Sequence, residues 1–205
     1  KGHIIVCGVE ETVRPIVEEL KMTHSPFVII TNRPDLLLEL KGYKDILYVE
    51  GNASEENVLE KAGVKKAKAL ICAFDNDTQN IFIVLTARGM NPNLRIVARI
   101  DEEKSESKFR RAGADAVVCP NRIGGLRMAS EIIRPAVVSF LDVMMRGRDI
   151  ALRIEEVPVG RGSSFINQTL VQTGIGKKTG VMIIAIKEHI TGRYRYNPTA
   201  ETKIN

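Results

Sequence analysis

Short runs of Ile, Val and other apolar residues recur along the chain, separated by longer mixed segments in which apolar positions return every three or four residues. The short runs, near 3–7, 26–31, 46–49, 68–73, 95–99 and 115–118, read as strands. The mixed segments near 10–22, 34–41, 54–62, 77–89 and 102–112 read as helices. Strands that are apolar at nearly every position belong to a parallel sheet covered on both faces. The alternation therefore predicts an α/β fold, a Rossmann-like doubly wound parallel sheet of six strands with helical crossovers.

Local punctuation agrees with these elements. Ser54 precedes Glu55 and Glu56, which predicts a helix N-cap followed by acids that favour the helix dipole. Gly63, Gly89 and Gly113 each follow a helical stretch, where a left-handed residue closes the last turn.

Beyond the sixth strand the period changes. From about 121 to 146, Leu126, Ala129, Ile133, Ala136, Phe140 and Val143 are spaced by three and four, the stripe of a long amphipathic helix. Pro135 predicts a kink or a break into two helices near Ile133 or Arg134. Ile132, Val137, Leu141 and Met144 widen the stripe, so the helix either packs on its own sheet or crosses to another subunit. After Gly147 a smaller domain is expected, with a strand over 151–159, a turn at 160–164, a short helix over 168–174 and a strand over 181–186. A turn starting at Tyr194 would lead to a further strand. The expected domains are 1–120, a crossover segment at 121–148, and a partial C-terminal α+β subdomain at 149–205.

Composition narrows the function classes. With 205 residues and 44% hydrophobic content the chain has material for more than one core. The net charge of +5 is dispersed, with Lys and Arg alternating with Asp and Glu, and no basic run is interleaved with aromatics. That pattern argues against a nucleic-acid partner. Cys7, Cys72 and Cys119 end apolar runs without C-x-x-C spacing and read as buried thiols, not a disulfide or zinc framework. No apolar stretch approaches the ~20 residues of a membrane helix. The first residue is Lys1, hard against the first strand, and the chain is expected to be a piece of something longer.

The candidate chemistry lies where the strands end. The first strand turns at Gly8 into Val9, Glu10, Glu11 and Thr12, the place of a G-x-G-x-x-G dinucleotide turn. Only its first glycine is present; Glu10 and Val13 hold the places of the second and third. Backbone N–H groups there suit a phosphate, whereas Glu10 and Glu11 oppose one or simply satisfy the helix dipole. After the second strand, where an acid binds the ribose of NAD, stand Thr31, Asn32 and Arg33. Arg33 is suited to a phosphate on the ribose or to that of a mononucleotide, or is simply an exposed residue at a helix start before Pro34. The third strand leads to Asn52 and Ala53, and the fourth to Ala73, Phe74 and Asp75. Asp75 and Asp77 read most simply as caps of the next helix, and with Asp101 they are weak calcium candidates. Arg99 ends the fifth strand, placed for a phosphate or for a salt bridge to Asp101, Glu102 or Glu103. No G-x-S-x-G, H-E-x-x-H or Walker A motif occurs, and no catalytic residue is assigned.

Several stretches together carry a family resemblance: Glu50-Gly51-Asn52-Ala53-Ser54, Leu59-Glu60-Lys61-Ala62-Gly63-Val64, Arg95-Ile96-Val97-Ala98-Arg99, and Arg111-Ala112-Gly113-Ala114-Asp115-Ala116-Val117-Val118 with Pro120. Residues 1 to about 146 closely resemble the RCK family (regulator of potassium conductance, also KTN or TrkA-N). The remainder resembles the front of its companion TrkA-C subdomain. The resemblance implies a non-enzymatic ligand-sensing domain at the cytoplasmic face of the cell membrane. It implies homodimers paired through the crossover helix, an eight-membered gating ring, and a potassium channel pore upstream of Lys1. It leaves the ligand unassigned, with adenine nucleotide or NAD(H) as candidates ahead of calcium and neither class transferring cleanly. The pattern departs from nucleotide-binding members at Glu10, Val13, Thr31 and Asn52 and keeps Arg99, while Ala73 and Arg99 depart from the calcium-gated pattern. An NAD(P)-dependent oxidoreductase and a structural ring member with a degenerate pocket are the alternatives.

Overall fold

The computed structural model describes residues 2–8, 11–34, 46–146, 156–189 and 191–204, without the side chains of 143–146. Two compact units divide within a helix, at 139 and 140.

The first unit is built on β1 (Ile4–Cys7), β2 (Phe27–Thr31), β3 (Tyr48–Glu50), β4 (Ala69–Cys72), β5 (Arg95–Arg99) and β6 (Ala116–Val118). They form one six-stranded sheet in the order β3-β2-β1-β4-β5-β6, every neighbouring pair parallel. The chain thus winds outward from β1 in one direction, then crosses back and winds in the other. The reversal between β1 and β4 leaves a crevice at the carboxyl ends of the strands.

Period-two alternation divides the core. Ile5, Cys7, Ile30, Leu70, Cys72, Ile96 and Ala98 pack on one face with Val58 and Leu59 of α2 (Glu56–Lys61), Ile83, Val84 and Ala87 of α3 (Asp77–Met90), and Phe109 of α4 (Glu106–Ala112). Val6 and Ile29 face the other way, onto Val13 and Val17 of α1 (Val13–Met22). The expected strands therefore stand: β5 keeps its expected bounds, β3 starts two residues later and ends one later, and the others are shorter by one or two residues. The helix expected near 34–41 lies, apart from Pro34, outside the described residues.

Three local expectations are corrected. The helix between β3 and β4 begins at Glu56 with Glu55 as cap, not Ser54, because Asn52 Oδ1 accepts both the Ser54 N–H at 3.1 Å and the Ser54 hydroxyl at 2.8 Å. Asn76, not Asp75 or Asp77, caps α3, accepting the Gln79 N–H at 3.0 Å. Gly63 and Gly113 close helices in left-handed geometry, but Gly89 lies inside α3, which runs on to Met90.

Pro135 breaks the long segment as expected. α5 (Pro120–Ile133) stops at Arg134, which leaves the helical region (φ −145°, ψ 57°) as the clash with a following proline requires, and α6 (Pro135–Arg146) restarts beyond it. Leu126, Ile132, Ile133, Val137 and Phe140 are exposed, whereas Val138 is buried. The stripe is thus not consumed by the chain's own sheet. Val143 and Met144 have side chains outside the described residues.

In the second unit, α7 (Leu170–Thr173) starts from a capping box. Thr169 Oγ1 accepts the Gln172 N–H, and Gln172 Oε1 accepts the Thr169 N–H at 2.8 Å. α8 (Ile175–Thr179) follows, then β7 (Ala185–Lys187), paired antiparallel with β8 (Tyr194–Tyr196). Tyr194 is thus part of a strand, where a turn was expected. The pairing places Tyr194 beside Lys187, whose ammonium lies 5.4 Å from the ring centre. Residues 156–159 are not strand, and 151–155 lie outside the described residues. Of the strand expected over 181–186, only 185 and 186 pair.

Candidate functional site

The carboxyl ends of the strands meet at the crevice between β1 and β4, and backbone hydrogen bonds set their heights. Gly8 donates to Ile30 O at 3.0 Å and Ala73 to Cys7 O at 2.9 Å, so the turns after β1, β2 and β4 share one edge. Gly51 donates to Thr31 O at 3.0 Å, bringing the turn after β3 to the same level. Gly8 has a φ of 131°, where a side chain is strained. At Gly51, φ 150°, a Cβ would stand 2.7 Å from Val58 Cγ2, so the glycine also serves the close approach of α2.

Arg99 is the centre of this edge. Its side chain, 14% exposed, leaves β5 and crosses to the start of α1, where Nη1 donates to Thr12 Oγ1 at 3.0 Å. Thr12 is the residue from which α1 starts, and its hydroxyl makes no capping bond to the helix backbone. A cation is thus held at a helix N-terminus, an arrangement that the helix dipole disfavours and that an anion between them relieves. Nη2 reaches Asp101 Oδ1 at 3.4 Å, at the long limit of a hydrogen bond, and Nε is buried with no partner among the described residues. A guanidinium with unspent donors beside helix N–H groups is suited to bind phosphate or carboxylate.

The turns beneath it are fixed by Asn80, on the inner side of α3 and fully buried. Its Nδ2 donates to Phe74 O at 2.7 Å and to Arg99 O at 3.1 Å, tying the turn after β4 to the end of β5. Sequence reading missed this residue. Its signal was a polar side chain at the head of the buried 80, 83, 84, 87 stripe, where an unpaired amide would be costly. Asn121, at the start of α5, was missed too; its Nδ2 donates to Asp101 Oδ1 at 3.3 Å.

The other candidates divide. Val9 and Glu10 lie outside the described residues, and Glu11 is exposed. Thr31 is buried and its Oγ1 accepts the Arg33 N–H at 2.9 Å, while Asn32 and Arg33 are exposed beyond it. Ala53, Ala73 and Phe74 turn their side chains into the core, leaving backbone at the edge. Asp75, Asp77 and Asp101 do not form a cation site. Asp77 Oδ1 accepts the Asp101 N–H at 2.8 Å, the Asp101 carboxylate faces Arg99, and no three acidic, His or Cys residues among those described are grouped for a metal.

Below the edge, Cys7 and Cys72 are register partners in β1 and β4, and burial pushes both thiols well above the ordinary thiol range. They are packing residues. No described helix is long and apolar enough to cross a membrane.

Comparison with known proteins matches residues 4–120 to the TrkA-N domain model. Potassium channel protein 1 of Methanocaldococcus jannaschii is 36% identical over 189 residues, covering 91% of this chain and 56% of the relative. Probable potassium channel protein 2 of the same organism is 37% identical over 195 residues, with the same coverage. The chain thus spans a little over half the length of these curated relatives. Among solved structures, GsuK bound to ADP is 26% identical with a TM-score of 0.56, covering 85% of this chain and 51% of that one.

Proposed function

This chain belongs to the TrkA-N domain family, and on that premise we propose that it is the ligand-sensing regulatory domain of a potassium channel, binding an adenine nucleotide across the β1/β4 crevice. One arrangement carries the proposal: Arg99 held against Thr12 at the N-terminus of α1, its Nε buried and unpartnered among the described residues. The ligand's phosphate takes the remaining Arg99 donors and the N–H groups opening α1. Gly8 and the turn at Ala73 let it approach the backbone. That the structurally similar GsuK has been solved bound to ADP supports an adenine nucleotide as the ligand.

Regulation requires that the ligand prefer one of two conformations of an assembly. The exposed apolar stripe of α5 and α6 supplies the pairing surface between two copies. Pairs then build the eight-membered ring, which works at the cytoplasmic face of the membrane on a pore belonging to the same protein. The role is binding rather than chemistry on the nucleotide: among the described residues, those gathered here bind and orient.

Thermal melting of the purified protein with ADP, ATP, NAD+, NADH and Ca2+ tests the reading. A rise in Tm with at least one nucleotide, and none with Ca2+, is expected. No shift with any nucleotide would remove the crevice as the sensor.

A further inference from the structure

Resting on the nucleotide reading, we propose that the ligand of this edge carries a phosphate on the 2′ position of its adenosine ribose as well as at the 5′ position. In doubly wound sheets the residue ending β2 faces that ribose. A carboxylate there accepts from the free hydroxyls, and an arginine nearby accommodates a 2′-phosphate. Here β2 ends in Thr31, uncharged, buried, and with its hydroxyl already accepting the Arg33 N–H at 2.9 Å. Thr31 is therefore a poor partner for a free diol. The same hydrogen bond shapes the turn that places Arg33 two residues beyond the strand, at the exposed edge.

Two arginines consequently lie at the strand ends flanking the crevice. Arg99 comes across from β5 to the head of α1, where the 5′-phosphate would lie, and Arg33 follows the end of β2 by two residues and is exposed, next to β1 on the other side. A ligand with a free ribose engages only Arg99, whereas a 2′-phosphate adds a doubly charged group that a guanidinium binds in bidentate fashion. Glu50, the acid in register with Thr31, lies on β3, one strand farther from the crevice, and is exposed.

Calorimetric titration of the whole chain with NADP+, NAD+, 2′,5′-ADP and 5′-ADP tests the proposal. NADP+ is expected to bind at least tenfold tighter than NAD+, and 2′,5′-ADP at least tenfold tighter than 5′-ADP. If 2′,5′-ADP equals NADP+, the adenosine half alone supplies the affinity; if NADP+ is tighter, the second nucleotide contributes, and either result supports the 2′-phosphate. Arg33→Ala and Arg33→Gln should abolish the preference in protein that circular dichroism shows folded, and Glu50→Gln should keep it. NAD+ binding as tightly as NADP+ would overturn the 2′-phosphate and leave the nucleotide site standing. Failure of all four to bind would overturn the nucleotide reading as well.

Discussion

The guanidinium of Arg99 donates to the hydroxyl of Thr12, 87 residues earlier in the chain, at 3.0 Å. This contact joins the two halves of the sheet across the crevice and presents the cation to whatever lies at the head of α1. Thr12→Val keeps the shape of the side chain and removes the acceptor. A charge-assisted hydrogen bond contributes about 1.5 kcal/mol or more, so the freed arginine should bind nucleotide roughly tenfold more weakly, read by calorimetry.

Asn80 holds two carbonyls, Phe74 O and Arg99 O, inside the protein. Asn80→Ala leaves both without this donor, at about 1–3 kcal/mol each. Urea denaturation should show a loss of about 3 kcal/mol, with nucleotide binding weakened because both turns border the site. Asn80→Asp should be at least as damaging, since a carboxylate cannot donate to either carbonyl.

The strands were legible because their signal is local. Each is a short β-branched run, and the residues flanking it contain its punctuation. The break at Pro135 was legible for the same reason, proline acting on its own φ and on the residue before it. Caps were less so. Ser54, Asn52, Asp75 and Asn76 are all competent capping residues, and which one serves depends on a turn geometry set by the sheet. β8 escaped because it is only three residues long, Tyr194, Arg195 and Tyr196, with an arginine at its centre and no apolar run to mark it. At the site, Arg99 was visible as a charge ending a strand, but its reach to Thr12 depends on strand order, which only the folded sheet supplies. Asn80 was hidden because a helical stripe is read for its apolar members.

Cys7 and Cys72 are fully buried and burial raises both thiols, whereas Cys119 is partly exposed with its Sγ donating to Asp101 O at 3.3 Å. The thiolate is the reactive form. Iodoacetamide at pH 8 should therefore label Cys119 in the native protein and all three cysteines after denaturation, as read by mass spectrometry. Linkage gives a second consequence. The folded state keeps both buried thiols protonated while the unfolded chain releases their protons near pH 9, the ordinary thiol value. Their contribution to stability is whole below that pH and is lost as pH rises above it. Cys7→Ala should make the alkaline loss of stability shallower.

Leu126 and Ile132 on α5 are exposed, Ile132 at 86%. If this stripe pairs two copies, the double substitution of Leu126→Glu and Ile132→Glu buries charge in the interface and should dissociate it. Sedimentation should show wild type as a dimer or larger and the variant as a monomer, with Tm of the sheet unit changed little. Equal sedimentation of both would place the pairing surface elsewhere.

The central claim is that Arg99 anchors a nucleotide phosphate at the β1/β4 crevice. Calorimetric titration of ADP into wild type, Arg99→Ala and Arg99→Lys addresses it most directly, with circular dichroism confirming that all three remain folded. Measurable binding by wild type, a loss of at least tenfold in Arg99→Ala, and only partial recovery in Arg99→Lys, which keeps the charge but not the fork, are expected. ADP binding undiminished in Arg99→Ala, or absent from wild type, would contradict it.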